Sequence, residues 1–379
     1  MKKLLFVLMT VLLCVQTVHA EEEIDVPSAV LMEASTGRII YEKNPDEKLP
    51  PASVTKIMTL LLIFEALEEE KIHRDDQVRV SEYAASMGGS QVFLEEGEMQ
   101  TVETMIKCIA VSSANDATVA MAEHIFGTEE KFVKKMNEKA ASLGMKNTRF
   151  KNCNGLDVKG HVTTARDIAL MAKELITKHP DIFHYTKIWM DEIVHETKKG
   201  KKKFGLSNTN KLIRYYEYAT GLKTGSTDEA GFCLCATAKK DEIELISVVM
   251  AAKSAKKRVS ESIKLLDYGF SMCTRYEDKE PLKKNKIAVS CGVKKEAKIE
   301  AEGPFTYVKI LNETKQEITK KEKIKKKIKA PAKKGEDAGY VHYFLDGKEI
   351  GKVKVVLKQD VRKRTVQDAL STVFLSFLL

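Results

Sequence analysis

A segment that is apolar on every side constrains this chain more than any other feature. Behind Pro50 and Pro51 the residues take helical spacing, with Ile57, Leu60, Leu61, Phe64 and Leu67 on one face. Leu62 and Ile63 make the opposite face apolar as well. A helix without a polar face has to run through a core, so other elements must wrap it. Proline just ahead of it is well placed for a first turn.

The flanking sequence supplies those elements. Residues 28–34 and 38–41 are apolar runs either side of Ser35-Thr36-Gly37, the pattern of a hairpin. Helical spacing returns at 102–109, 115–125, 130–143 and 164–178, which predicts a helical lobe. From Gly221 the period changes to three successive strands, GLKTGS, GFCLCATA and EIELISVVMAA, and then a helix over 258–270. Two opening strands, a helical insert, three closing strands and a last helix predict an α/β (α+β) fold, one antiparallel sheet flanked by helices. With 379 residues, 43% of them hydrophobic, the chain can bury one sizeable core and carry a smaller module.

That module is expected to be all-β. Short apolar runs at 286–290, 307–311 and 341–345 precede Asp346-Gly347, a hairpin turn leading into 350–357. Lys320 to Lys329, with Ile324 and Ile328 interspersed, reads as one strand with a solvated face rather than a nucleic-acid patch. The division is residues 1–20, 21–276, 277–358 and 359–379.

The two ends point to export and a membrane. Lys2 and Lys3, an apolar run from Leu4 to Val15, and Val18 and Ala20 ahead of the cut describe a signal peptide. The run falls short of the roughly 20 apolar residues of a spanning helix. At the other end Val366, Leu370, Val373, Phe374, Phe377 and Leu378 share one helical face behind Lys358, Arg362, Lys363 and Arg364, as in a helix lying in a membrane surface. An exported chain with no aromatic-basic platform is not expected to bind nucleic acid. Its net charge of +9 favours anionic wall polymers or lipid head groups. Cys108, Cys153, Cys233, Cys235, Cys273 and Cys291 would remain after cleavage; Cys233 and Cys235, two apart in a strand, point the same way and cannot easily bond. No Cys/His spacing predicts a metal site or a cofactor.

The chemistry concentrates at the start of the apolar helix. Ser53-Val54-Thr55-Lys56 puts a lysine three residues after a serine, so the amine can reach the hydroxyl. A hydroxyl needs such a base to become a nucleophile, and the helix N-terminus favours the negative charge that develops there. The pattern alone is weak, since Ser254-Ala255-Lys256-Lys257 also fits it. Ser53 differs by its company, Ser113-Ala114-Asn115 and then Lys223-Thr224-Gly225 on an expected edge strand.

The three motifs in this order resemble those of serine-type D-alanyl-D-alanine carboxypeptidases, the low-molecular-mass penicillin-binding proteins. The likeness extends to NCNGLD at 152–157, TTARD at 163–167, GLKTGSTDEAGF, and APAKKGEDAG at 330–339 in the β module. It implies a penicillin-binding/β-lactamase-like domain and attack by Ser53 on the penultimate D-alanine of a peptidoglycan pentapeptide stem. Lys56 would take the proton and Ser113 would relay it to the leaving amine. Asn115 would hold the substrate backbone or the lysine, Lys223 and Thr224 the terminal carboxylate. Gly225 would let the strand approach the substrate, and the N–H groups of Ser53 and Ser226 would form the oxyanion hole. β-Lactam antibiotics would inhibit. A lysine of ordinary pKa near 10.4 has to reach about 7, a difference on the order of 4.6 kcal/mol, and burial and the Lys223 cation both push that way.

Nearby residues have plainer readings. Gly88-Gly89-Ser90 reads as a loop, Asn154, Gly155 and Asp157 as a turn, Arg166 as a local ion pair, and His161 as structural. Three other functions are weighed. A β-lactamase of class A would need a Glu followed four residues later by Asn between Ser113 and Lys223, which is absent. A transpeptidase would carry a large extra domain. A non-catalytic wall-shaping protein has no need of a paired serine and lysine.

Overall fold

Alternate residues of the central strands enter two different cores, and that alternation organises the first part of the molecule. A computed structural model describes residues 24–197, 200–368 and 370. Strands β1 (Ser28–Glu33), β2 (Ile39–Lys43), β3 (Ala219–Thr227), β4 (Gly231–Lys240) and β5 (Ile243–Ala252) form one antiparallel sheet in the order β2-β1-β5-β4-β3. Val30, Met32, Cys233, Cys235, Ile246 and Val248 face a core with the apolar helix α1 (Lys56–Glu68). Ala29, Leu31, Leu234, Ala236 and Leu245 face the other side, against Leu265 and Leu266. Strands buried on both faces explain the near-continuous apolar runs seen in the sequence.

Helix α1 runs through the first core, and Ile57, Leu60, Leu61, Leu62, Ile63 and Phe64 are all buried. Around it lie α2 (Val102–Val111), α3 (Asn115–Phe126), α4 (Glu129–Ser142) and α5 (Ala165–Lys178), within a residue or two of the expected positions. Side chains of Thr101, Thr128 and Thr164 cap α2, α4 and α5. Helix α6 (Ala255–Met272) covers the far face of the sheet. Strand β3 lies at an edge, as predicted.

The later residues build a separate core around Tyr343, Val341, Ile299 and Leu357. Strand β6 (Cys273–Asp278), which contains Tyr276, pairs with β9 (Phe305–Ile310). Strands β7 (Lys286–Ser290), β8 (Glu296–Ala301), β10 (Ile318–Ile324), β11 (Lys327–Lys329), β12 (Asp337–Leu345) and β13 (Lys348–Leu357) form a second sheet in the order β10-β12-β13-β8-β7-β11. The lysine-rich run is thus two strands rather than one: β10 pairs with β12, and β11 with β7 at the opposite edge.

The tail departs from expectation at its start. Val361 bridges Ala332 and Lys363 bridges Gly292, so 359–365 complete the β module; helical residues begin at Val366. The expected signal peptide, residues 1–20, and the apolar residues after Leu370 lie outside the described residues. Among the described residues no helix is long and apolar enough to cross a membrane. Cys108, Cys153, Cys233, Cys235 and Cys273 are buried free thiols, and Cys291 is an exposed one.

Candidate active site

The turn that carries Ser53 is held under strain by two glycines. Residues Ala52–Thr55 form a short 3-10 turn, so Ser53 precedes the α-helix and Lys56 is its first residue. Ala52 has φ +47°, a left-handed conformation unusual for a residue with a side chain. Gly155, at φ +91°, lies so close that an added Cβ would stand 1.9 Å from the Ala52 carbonyl oxygen. From β3, a Cβ on Gly225 would stand 2.8 Å from the Pro51 oxygen and 2.9 Å from the Ser53 nitrogen. The close approach at Gly225 is therefore to the backbone around Ser53, where the sequence reading expected the substrate.

Lys56 is completely buried and touches three oxygens. Its Nζ lies 3.0 Å from Ser53 Oγ, 2.6 Å from Asn115 Oδ1 and 2.6 Å from the Asn154 carbonyl oxygen. A carbonyl oxygen can only accept, so Asn115 and Asn154 take two N–H bonds. In the neutral amine the remaining position is the lone pair, aimed at the Ser53 hydroxyl. Burial lowers the amine to about 7, opposed by the Cys153 thiol and the Asp116 carboxylate. The expected repulsion between the Lys56 and Lys223 amines is present and falls on Lys223.

Each partner is itself fastened. Asn115 Nδ2 donates 2.7 Å to the Gly88 oxygen and its backbone N–H 2.7 Å to the Ser90 oxygen, which fixes which way its amide faces. The Gly88-Gly89-Ser90 segment is thus part of the site rather than a mere loop. Asp116, fully buried, accepts from the N–H groups of Val92 and Leu94 and steadies the same loop. Thr59 Oγ1 donates 2.6 Å to the Cys153 oxygen, and Glu129 accepts from the Cys153 N–H, which hold the segment that presents Asn154. His161 accepts from the Lys151 N–H at Nδ1, which leaves Nε2 to donate to Thr55 Oγ1; burial lowers it to about 4, so it stays a neutral strut. Arg166 pairs locally with Asp46 and Glu42.

Ser113 stands between α2 and α3 at φ +61°, and its buried Oγ has no hydrogen-bond partner among the described residues. It shares the Asn115 loop and makes no bond yet to Ser53 or Lys56. On β3, Lys223 is buried and Thr224 Oγ1 donates 2.7 Å to Thr209 Oγ1. Lys223 Nζ reaches only the Thr224 oxygen, at 3.1 Å. Burial first, then the cations of Lys56 and Arg258, push its amine well below the ordinary lysine value. The two buried amines are thus both pushed toward their neutral forms. Ser226 is exposed at the mouth, and Thr227 Oγ1 donates 2.8 Å to Asp157, which ties β3 to the 152–157 segment across the cleft. Asp157 thus joins two walls.

Residues 15–254 match the D-alanyl-D-alanine carboxypeptidase family, and residues 276–363 match the penicillin-binding protein 5 C-terminal domain. The chain belongs to the D-alanyl-D-alanine carboxypeptidase family. The carboxypeptidase is 46% identical over 340 residues to D-alanyl-D-alanine carboxypeptidase DacF of Bacillus subtilis, covering 89% of this chain and 86% of that one. Penicillin-binding protein 5 of Haemophilus influenzae has a similar structure, with a TM-score of 0.66 at 32% identity over 90% of this chain and 98% of the other. Penicillin-binding protein D2 of Listeria monocytogenes, solved with ampicillin bound, gives 0.54 at 33% identity over 65% and 97%. Homologues across the chain are D-alanyl-D-alanine carboxypeptidases, so the carboxypeptidase is a serine peptidase of cell-wall metabolism with a penicillin-binding-protein fold.

Several parts of the carboxypeptidase site escaped the sequence reading. The Asn154 contact is made by a backbone carbonyl, which any residue carries. Arg258 donates 2.9 Å to the Gly225 oxygen and 3.3 Å to the Cys233 oxygen from behind β3. It sits one residue past the misleading Ser254-x-x-Lys match, where Ser254 simply caps α6 by accepting from the Lys257 N–H. Among the described residues no group of three or more His, Cys, Asp or Glu could hold a metal.

Proposed function

We propose that Ser53 is the nucleophile, with Lys56 as its base, in removing the terminal D-alanine of a peptidoglycan pentapeptide stem. The lone pair of Lys56, left over once Asn115 and Asn154 have taken its hydrogens, carries this reading. Ser53 Oγ bonds to the carbonyl carbon of the penultimate D-alanine and its proton passes to Lys56. The carbonyl oxygen becomes an oxyanion facing the N–H groups of Ser53 and Ser226. As the peptide C–N bond breaks, the proton moves through Ser113 to the leaving amine and free D-alanine departs. Water then adds to the ester, and Ser53 regains its proton.

Lys223 and Thr224 receive the terminal carboxylate. A carboxylate beside Lys223 favours its ammonium form and opposes the lowering by burial. A β-lactam follows the same first half, but its amine stays tethered after the ring opens, so the acyl-enzyme persists. Residues 1–20 direct export, 21–276 hold the catalytic unit, 277–365 the β module, and the tail from Val366 onward attaches to the outer face of the cytoplasmic membrane.

Incubation with a D-alanyl-D-alanine pentapeptide and, separately, with benzylpenicillin tests the reaction. The expected result is catalytic release of D-alanine and near-stoichiometric consumption of penicillin. Rapid multiple turnover of penicillin without D-alanine release would favour a β-lactamase.

A further inference from the structure

We infer that the far end of the β module is an electrostatic footprint for the anionic head groups of a lipid bilayer, separate from the apolar tail. Residues 277–364 hold 25 of the chain's 63 basic residues and 14 of its 54 acidic ones, a net +11, which leaves the rest of the chain at −2. The positive charge of the molecule therefore belongs to the β module alone. Within it three turns converge at one end. The Arg364 N–H donates to the Cys291 oxygen at 2.9 Å, Val293 to Arg362 at 3.1 Å, and Ala332 to Val361 at 3.0 Å.

This junction gathers Lys294, Lys295, Lys333, Lys334, Lys363 and Arg364, all exposed and none in an ion pair among the described residues. Their neighbours Lys325 and Arg362 are neutralised by Asp337 and Asp368. Glu336 and Asp360, the nearby acids, are engaged by the backbone N–H groups of Lys333 and Lys334. A lipid surface fits better than a soluble polymer because of what adjoins the patch. Val293, exposed at 43%, lies in one of the turns, and the chain leaves the same end through Val366 and Leu370, exposed at 77% and 61%. Charge beside exposed apolar side chains is the chemistry of a membrane interface.

The inference extends the tail attachment proposed above, and the test separates them. The full chain is sedimented with phosphatidylcholine vesicles and with vesicles that also contain phosphatidylglycerol, at low and high salt. Each basic residue near an anionic surface contributes about a fivefold factor in binding. A variant with Lys294→Gln, Lys295→Gln, Lys333→Gln and Lys334→Gln should lose roughly six-hundredfold affinity for the anionic vesicles. Its binding to phosphatidylcholine, its melting temperature and its hydrolysis of a soluble D-alanyl-D-alanine peptide should not change. A Phe374→Asp, Phe377→Asp variant should weaken on both vesicles yet keep a salt-sensitive preference for the anionic ones; retention of full binding would count against the tail alone. The footprint is refuted if the four-glutamine variant binds anionic vesicles as the parent does. It is equally refuted if a soluble polyglycerol phosphate captures the parent while anionic vesicles gain nothing over neutral ones.

Discussion

At the scale of the residue, Lys56 has three hydrogen-bond partners and, once neutral, only two hydrogens to give. Two of the partners are carbonyl oxygens, so the geometry decides where the lone pair goes without any appeal to motif. Protonation would convert that lone pair into a third N–H and remove the base. Because burial lowers the amine to about 7, the neutral fraction grows as pH rises through that value. The acylation rate constant for a β-lactam should climb with pH and reach half its plateau near pH 7. Stopped-flow acylation across pH reads this directly, and a flat profile from pH 5 to about 9 would remove Lys56 from the role. Lys56→Arg should abolish labelling by a fluorescent penicillin, since a guanidinium stays protonated; labelling at the parent's rate would sink the assignment.

At the scale of the element, the site is a strained turn gripped between a strand and a loop. Gly225→Ala should lower acylation by about a hundredfold, since a displacement near 1 Å at a reacting group costs that much. Its circular dichroism should stay native, and parent-like acylation would show that β3 does not set the Ser53 position. Elements were legible in the sequence where their periodicity was strong: α1 through its apolar circumference, the sheet strands through residues buried on both faces. Ser53, Lys56, Asn115 and the Lys223 to Ser226 strand were legible because side-chain chemistry repeats in motifs. What stayed hidden is mostly backbone. Carbonyl oxygens of Gly88, Ser90 and Asn154 leave no mark in residue identity, and the break between β10 and β11 falls in a run of lysines of uniform character. Arg258 was obscured for another reason, lying beside a serine-lysine match that is only a helix cap.

At the scale of the whole molecule, the first part and the β module divide labour along the charge. The first part is close to neutral and buries the paired amines of Lys56 and Lys223, while the β module carries the net positive charge. A substrate tethered in the wall and an enzyme held at a membrane would meet across that arrangement. Five of the six thiols among the described residues are buried, and Cys108, Cys153 and Cys235 are pushed up by burial and stay protonated. These three therefore do not compete with a serine as nucleophile at neutral pH. The central claim, that Ser53 is the atom acylated, is tested by mass spectrometry of the intact protein after benzylpenicillin treatment, followed by peptide mapping. The account predicts a single adduct on the peptide containing Ser53, absent from Ser53→Ala. An adduct on Ser113, Ser226 or a cysteine, or one that persists in Ser53→Ala, would contradict it.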